Sequence, residues 1–157
     1  MLPPTPPATI LLVEPDGIAR AILHTAASAW ARVESYGGFE VARTRLRREA
    51  FDFVVTNMRL EAYNGLHLAY ARAPGRSPHV IVYSDHHDPW LAREAQQAGA
   101  FYEIQECLPV TLAGYVRGTL PPRDRRDATR DRRAIVRGGR RCWDLHLAHR
   151  GRGTDGP

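Results

Sequence analysis

The chain has 157 residues, of which 43% are hydrophobic and 25% charged, and it contains 12 prolines and 13 glycines. This length and apolar fraction suit one globular domain and exclude wholesale disorder. No apolar run approaches the roughly 20 residues that span a bilayer, and the proline-rich start lacks the basic region of a secretory signal. Because two cysteines are also too few for a disulfide framework, we expect a cytoplasmic protein without membrane contact.

The net charge of +5 is unevenly distributed, and all 22 basic residues are arginine. Residues 121–157 contain 11 arginines and 5 aspartates, whereas residues 1–120 contain 11 arginines and 12 acids. The calculated pI of about 9.8 therefore reflects the end of the chain. We predict a domain over residues 8–120, followed by a basic, Arg-rich tail over 121–157 that has little to bury and is disordered.

Short apolar runs alternate with segments of helical periodicity along the predicted domain. The runs that predict strands cover residues 9–13, 32–36, 51–56, 80–83 and 101–105. The first helix follows Asp16, a good N-cap, and extends to about residue 30 because Ile18, Ala21, Ile22, Thr25 and Ala29 recur at helical spacing. Four further helices are expected, around 41–46, from Leu66, from Pro89 and from Pro109.

Five apolar strands that alternate with five helices indicate an α/β fold, in which a doubly wound parallel sheet is covered on both faces. Functional side chains in such sheets lie beyond the carboxyl ends of the strands. The positions to inspect are residues 14–16, 57–59, 84–85 and 105–106.

Four segments carry a resemblance to a known family. They are ILLVEPD over 10–16, FDFVVTNMRL over 51–60 leading into Asn64-Gly65-Leu66, VIVYS over 80–84, and AGA over 98–100. In this order and spacing they resemble the receiver domain of bacterial two-component response regulators. The resemblance implies the flavodoxin-like strand order 2-1-3-4-5 and a role in two-component or phosphorelay signal transduction.

The chemistry of that family depends on four kinds of residue at the strand ends. An aspartate after the third strand accepts the phosphoryl group, and an acidic pair after the first strand binds Mg²⁺ together with a backbone carbonyl. A hydroxyl after the fourth strand and a lysine after the fifth contact the phosphoryl oxygens. The matching positions here are Asn57, Glu14 with Pro15, Ser84, and Gln105 or Glu106, and the carbonyl is that of Met58.

Of these positions, only Ser84 keeps its family side chain. Asn57 has no nucleophilic carboxylate, Pro15 has no ligand oxygen, and the chain contains no lysine at all. Glu14 and Asp16, which lies one place late, remain as a remnant acidic pocket. Asn57 either replaces the acid as a hydrogen-bonding group that holds the pocket in one state, or is simply a tolerated polar residue. The resemblance thus implies a degenerate receiver, or pseudo-receiver, with no cofactor and with weak or absent Mg²⁺ binding.

We therefore expect a single-domain, atypical response regulator that is not an enzyme and acts by protein–protein contact without phosphorylation. Its partner would be a histidine kinase, another response regulator, an output protein or a second copy. The family's usual docking surface offers the aromatic side chains Trp90, Phe101, Tyr102 and Tyr115, of which any exposed member would anchor an interface.

Two alternatives stay open. The chain would be a conventional phosphoacceptor if a displaced acid, Asp16 or Asp52, replaced the missing aspartate. It would associate with nucleic acid if the arginines of the tail bound phosphates, although the interspersed aspartates disfavour this role.

Overall fold

The computed structural model describes residues 7–71, 75, 77–118 and 120. The elements in chain order are β1 (Ala8–Val13), α1 (Gly17–Ser28), β2 (Ala31–Tyr36), α2 (Phe39–Arg48), β3 (Phe53–Asn57), β4 (Arg59–Leu60), β5 (Tyr63–Asn64), β6 (His79–Ser84), α3 (Pro89–Gln97), β7 (Phe101–Ile104) and α4 (Leu108–Arg117). Two 3₁₀ helices, Gly65–Tyr70 and Gln105–Cys107, complete the described part. The tail predicted to be disordered, 121–157, lies outside the described residues.

Five strands form one parallel sheet in the order β2-β1-β3-β6-β7. All five correspond to strands predicted from the sequence, so the predicted order 2-1-3-4-5 is confirmed. The inner strand β1 pairs with β2 on one side and β3 on the other, and Ile10 lies opposite both Val33 and Phe53. The carboxyl ends of all five strands therefore meet at one edge of the sheet, where β1 and β3 are neighbours.

Apolar side chains cover the sheet on both faces, as the continuous apolar strands predict. One core cluster joins the sheet to α2, the first 3₁₀ helix and α3 through buried residues such as Phe39, Leu46, Leu68 and Ala95. The other joins the opposite face to α1 and α4 through residues such as Leu23, Ala27, Leu108 and Leu112. The two clusters fix all five strands and thereby hold the strand ends in place.

The helix predicted from Leu66 is present over Gly65–Tyr70, but it is a 3₁₀ helix and not an α-helix. Its buried positions Gly65 and Leu68 are three residues apart, as are Leu66 and the half-buried Ala69. This spacing stacks side chains in a helix with three residues per turn. The loop expected before it contains the short antiparallel pair of β4 and β5.

The apolar positions that predict α1 are not the ones that it buries. Leu23 and Ala27 face the core at 2% exposure each, whereas Ile18 is 76% and Ile22 57% exposed. The helix is present as predicted, but its inward face is rotated from the isoleucines to the Leu23–Ala27 stripe.

Candidate functional site

The strand-end site is centred on Glu14, the residue after β1, which is only 2% exposed. Its Oε2 accepts a hydrogen bond from Nδ2 of Asn57 at 2.9 Å and another from the hydroxyl of Tyr83 at 2.7 Å. Its Oε1 accepts the backbone N–H of Asp16 at 2.9 Å. Burial of a carboxylate is costly unless donors surround it, and three donors from three parts of the chain do so here.

Asn57 uses both ends of its amide. While Nδ2 donates to Glu14, Oδ1 accepts the backbone N–H of Arg59 at 2.9 Å. An aspartate could accept from Arg59 but could not donate to the carboxylate. The arrangement matches the first of the two interpretations of Asn57, a hydrogen-bonding replacement.

The backbone N–H and carbonyl of Met58, next to Asn57, also form hydrogen bonds within the chain. The carbonyl of Met58, a metal ligand in the family, accepts the N–H of Gly65 at 2.9 Å, and the N–H of Met58 donates to the backbone carbonyl of Tyr83 at 2.7 Å. Any side chain at position 65 would collide with the carbonyl oxygen of Asn57, so this close approach requires glycine. The 3₁₀ helix therefore packs directly against the end of β3.

Asp16 does not join the carboxylate of Glu14 as a second acid. Its Oδ1 accepts the N–H of Ala19 at 2.7 Å, so it is the N-cap of α1, as predicted. The guanidinium of Arg20 lies behind the same turn and donates to the carbonyls of Glu14 at 2.6 Å and Pro15 at 3.3 Å. The turn that would hold a metal is thus held by hydrogen bonds within the chain.

Tyr83 is the site residue that the sequence reading missed. It is fully buried in β6, and burial together with the negative charge of Glu14 raises the pKa of its phenol, which stays a neutral donor. The usable signal was a phenol at the end of the otherwise aliphatic run 80–83, since a buried tyrosine hydroxyl usually finds a polar partner.

Ser84 has its hydroxyl engaged away from Asn57. Its Oγ lies 2.5 Å from the hydroxyl of Tyr102 and 2.7 Å from the carbonyl of His86, to which it donates. The Tyr102 hydroxyl also accepts the N–H of Asp88 at 3.0 Å. Ser84 thereby ties the loop after β6 to β7.

The positions that match the family's lysine, Gln105 and Glu106, lie in the second 3₁₀ helix directly after β7. Gln105 is half-buried and Glu106 exposed, and both line a groove that also contains Asp16 and Asp85. Within the described part of the chain, no three histidine, cysteine or acidic side chains are grouped so as to hold a metal ion.

Asp52, the other displaced acid that was considered, lies at the opposite edge of the sheet. It precedes β3, and its Oδ2 accepts the N–H of Thr9 at 2.8 Å and the hydroxyl of Thr9 at 2.9 Å. The length of β3, at about 3.3 Å per residue, separates it from Asn57. Asp52 therefore cannot serve as an acceptor in the same pocket.

The aromatic residues expected at an interface have different exposures. Phe101 and Tyr102 are 5% and 6% exposed and belong to the core, which excludes them as interface anchors. Tyr115 is half-buried against Phe101, with ring centroids 5.4 Å apart. Trp90 in the first turn of α3 is 68% exposed and remains available. Cys107 is buried.

Strand order and layers together define the fold class as that of response-regulator receiver domains. Solved structures with this fold include the response regulator DrrB of Thermotoga maritima, at 21% identity and a TM-score of 0.59 over 68% of this chain. The receiver domain of the putative response regulator NarL from Mycobacterium tuberculosis matches at 17% identity and 0.62, covering 71% of this chain and 94% of that one. The chemotaxis response regulator CheY4 of Vibrio cholerae matches at 17% and 0.60, covering 69% and 94%.

The likeness to DrrB spans 49% of that longer chain. No protein-family profile matches the sequence, and neither does any curated protein. These likenesses show the receiver fold. No helix among the described residues is long and apolar enough to cross a membrane.

Proposed function

We propose that this protein is an atypical receiver that acts in two-component or phosphorelay signalling by protein–protein contact, without being phosphorylated. The observation that supports this most is the carboxylate of Glu14, whose donors are Asn57, Tyr83 and the backbone of Asp16. In an ordinary receiver the corresponding acid binds Mg²⁺. Here the same oxygens accept protein hydrogen bonds, so the site is stable in one state without a metal ion.

The chemistry of phosphoryl transfer supports the same proposal. Transfer depends almost entirely on an oxygen nucleophile, a bound cation and positive charge placed at the phosphoryl oxygens. Asn57 supplies an amide, the carbonyl of Met58 is hydrogen-bonded to Gly65, and Gln105 and Glu106 supply no positive charge. The domain would thus act as a binding module and not as an enzyme, with no cofactor.

The fold favours a histidine kinase, another response regulator or an output protein as the partner, and a second copy is also compatible. Trp90 is the most suitable anchor among the aromatic residues considered, because it is 68% exposed and tryptophan is enriched at interface hot spots. It lies on α3, remote in sequence from Glu14 at the centre of the strand-end site.

The proposal is tested by incubating the full chain with acetyl phosphate and Mg²⁺ and measuring its intact mass. We expect no addition of one phosphoryl group, and no saturable change in tryptophan fluorescence on titration with Mg²⁺ alone. A stoichiometric, hydroxylamine-labile addition would contradict the proposal. If Asp16→Asn abolished that label and Asp52→Asn did not, the displaced-acid alternative would replace it.

The variant Asn57→Asp sharpens the same experiment. It restores a carboxylate but puts it against Oε2 of Glu14, where the amide nitrogen now lies at 2.9 Å. Two facing carboxylates should lower the free energy of unfolding by about 1–3 kcal/mol and leave labelling slow. Labelling at the rate of an ordinary receiver with an unchanged melting temperature would show that the pocket is still competent.

A further inference from the structure

A buried acid outside the strand-end site, Glu103 in β7, lies against the last helix. Glu103 is 2% exposed, and its Oε1 accepts the hydroxyl of Tyr115 on α4 at 2.7 Å. Its Oε2 has no hydrogen-bond partner among the described residues. A buried carboxyl group with an unsatisfied oxygen is stable as the neutral acid and costly as the anion. The contact between β7 and α4 therefore depends on the protonation of Glu103.

No charged side chain in the described part of the chain offsets a negative charge on Glu103. On β6, Tyr83 lies opposite Glu103, and its hydroxyl donates to Glu14. His79 lies four residues earlier on β6, roughly 13 Å along the strand. Tyr115 is the titratable group that α4 places against Glu103, and α3 packs on the other face of the sheet. Desolvation, and no neighbouring charge, therefore dominates the protonation of Glu103.

The two ends of α4 are held unequally. Its first two turns place Leu108 and Leu112 in the core, where both are fully buried. Its last turn has the half-buried Tyr115 and the exposed Arg117, whose guanidinium lies 4.5 Å from the ring centroid of Trp30. A segment with few buried apolar contacts opens at lower free energy than the core does. The last turn of α4 is thus the part of the helix that opens most easily.

Gly114 separates these two parts of α4. It is exposed, and a Cβ at this position would meet no atom within 4 Å, so packing does not require glycine here. Glycine in the interior of a helix destabilises that helix relative to alanine. The sequence therefore places a weak point directly before the turn that carries Tyr115.

We propose that residues 114–118, which we call the α4 latch, open and close with the protonation of Glu103. The latch is closed over the neutral acid, while Tyr115 donates to Oε1. When Glu103 releases its proton to bulk water, opening at Gly114 lets water reach both carboxylate oxygens. Residues 121–157 follow the latch in sequence, so its opening would move the point at which they are attached. The inference does not depend on whether the domain is phosphorylated.

Amide hydrogen exchange of the full chain tests the proposal, measured by NMR between pH 5 and pH 8 and corrected for intrinsic exchange rates. Burial raises the pKa of Glu103 to about 7 from an ordinary value of 4.5, so ionisation favours the open form increasingly over this range. We expect the protection of the latch amides to fall roughly 10- to 100-fold from pH 5 to pH 8. The last turn of α2 is the control region, because its opening does not expose Glu103.

Three variants separate the acid from the weak point. Glu103→Gln cannot ionise and should make the protection of the latch independent of pH. Its matched control, Glu49→Gln, removes an exposed acid on another element and should keep the pH dependence of the wild type. Gly114→Ala should raise the protection roughly three- to fivefold at every pH and leave the pH dependence intact, because alanine is the better helix former.

Constant protection of the latch across this pH range in the wild type, or an equal fall in Glu103→Gln, would overturn control by Glu103. An equal fall in the last turn of α2 would also overturn it. Latch amides that exchange as slowly as those of β1 would overturn local opening, since only global unfolding would then expose the acid. Unchanged protection in Gly114→Ala would overturn the role of Gly114.

Discussion

Two glutamates, Glu14 and Glu103, are each 2% exposed, yet their surroundings differ. Glu14 lies after β1 and accepts three hydrogen bonds, which involve both of its oxygens. Glu103 lies within β7; its Oε1 accepts the hydroxyl of Tyr115 at 2.7 Å, while its Oε2 has no hydrogen-bond partner among the described residues. Burial raises the pKa of Glu103 to about 7, because the hydrogen bonds from Tyr115 and the backbone only partly oppose desolvation.

The difference shows what makes an acid structural in this fold. A buried carboxylate is stabilised when donors come from several elements, and it then holds those elements together. Glu14 in this way joins β1, β3 and β6. Burial of Glu103 in β7, in contrast, mainly costs stability, because its desolvation is only partly offset by hydrogen bonds. The hydrogen bonds around Glu14 therefore stabilise a buried acid at the strand ends, provided that every donor is kept.

Removal of Glu14 should give the largest effect. Glu14→Ala leaves the side-chain donors of Asn57 and Tyr83 and one backbone N–H without their acceptor. We expect the free energy of unfolding to fall by about 3–5 kcal/mol, because each buried unsatisfied group costs about 1–3 kcal/mol. Urea unfolding followed by circular dichroism measures the loss.

The control for that measurement is Glu49→Ala, which removes an exposed acid from its ion pair with Arg45. An exposed pair of this kind contributes about 0.5 kcal/mol. A loss of less than about 1 kcal/mol in Glu14→Ala would mean that water replaces the carboxylate, and that the hydrogen bonds do not hold the site together.

Glu103 should make the stability of the domain depend on pH, because desolvation of its carboxylate is only partly offset by hydrogen bonds. Its pKa is about 7 in the folded chain against an ordinary value of 4.5, so the folded state binds the proton more tightly than the unfolded state does. Stability should therefore be highest below about pH 4.5 as far as this group is concerned, and should fall as the pH rises to about 7.

Glu103→Gln removes this titration while it keeps the shape of the side chain. At pH 8 the variant should be more stable than the wild type by up to about 3 kcal/mol, and the advantage should shrink toward pH 5. Urea unfolding at both values gives the difference, in which the contributions of the histidines cancel. Parallel stability profiles of the two proteins would contradict a raised pKa at Glu103.

The sheet could be predicted from the sequence because parallel strands buried on both faces are continuous apolar runs, as in Val80–Val82. The places of Glu14, Asn57 and Ser84 followed from strand ends alone. Which donor each acid would find did not follow, because hydrogen-bond partners distant in sequence depend on the three-dimensional arrangement. The contact of Glu14 with Tyr83, 69 residues away, is such a case.

The inward face of α1 could not be predicted for a related reason. Its sequence offers two apolar stripes, one with Ile18 and Ile22 and one with Leu23 and Ala27. Periodicity detects both, and only packing against the sheet and α4 selects the second. The 3₁₀ helix at Gly65 depends on the carbonyl of Asn57, whose closeness no local pattern encodes.

Tyr83→Phe should give the smallest of the three effects and isolate one donor to Glu14. The ring stays in the core, and only the 2.7 Å hydrogen bond to the carboxylate is lost. A buried hydrogen bond to a charged group contributes about 1.5–3 kcal/mol, and we expect the lower end because two donors remain on Glu14. The matched control is Tyr36→Phe, since Tyr36 also donates to a glutamate, Glu34, but at 3.2 Å and in a half-buried setting.

Arg45 gives Glu34 two shorter hydrogen bonds, at 2.7 and 2.9 Å, so loss of the Tyr36 hydroxyl should cost no more than about 0.5 kcal/mol. Chemical unfolding of both variants in the same buffer gives the two values.

Because Tyr83 and Asn57 share the same oxygen of Glu14, the effect of Tyr83→Phe should also change when it is combined with Asn57→Ala. Strict additivity of those two changes, or equal losses in the Tyr83 and Tyr36 variants, would show that the Tyr83 hydroxyl is not part of a coupled network and that Glu14 is held by its neighbours in sequence.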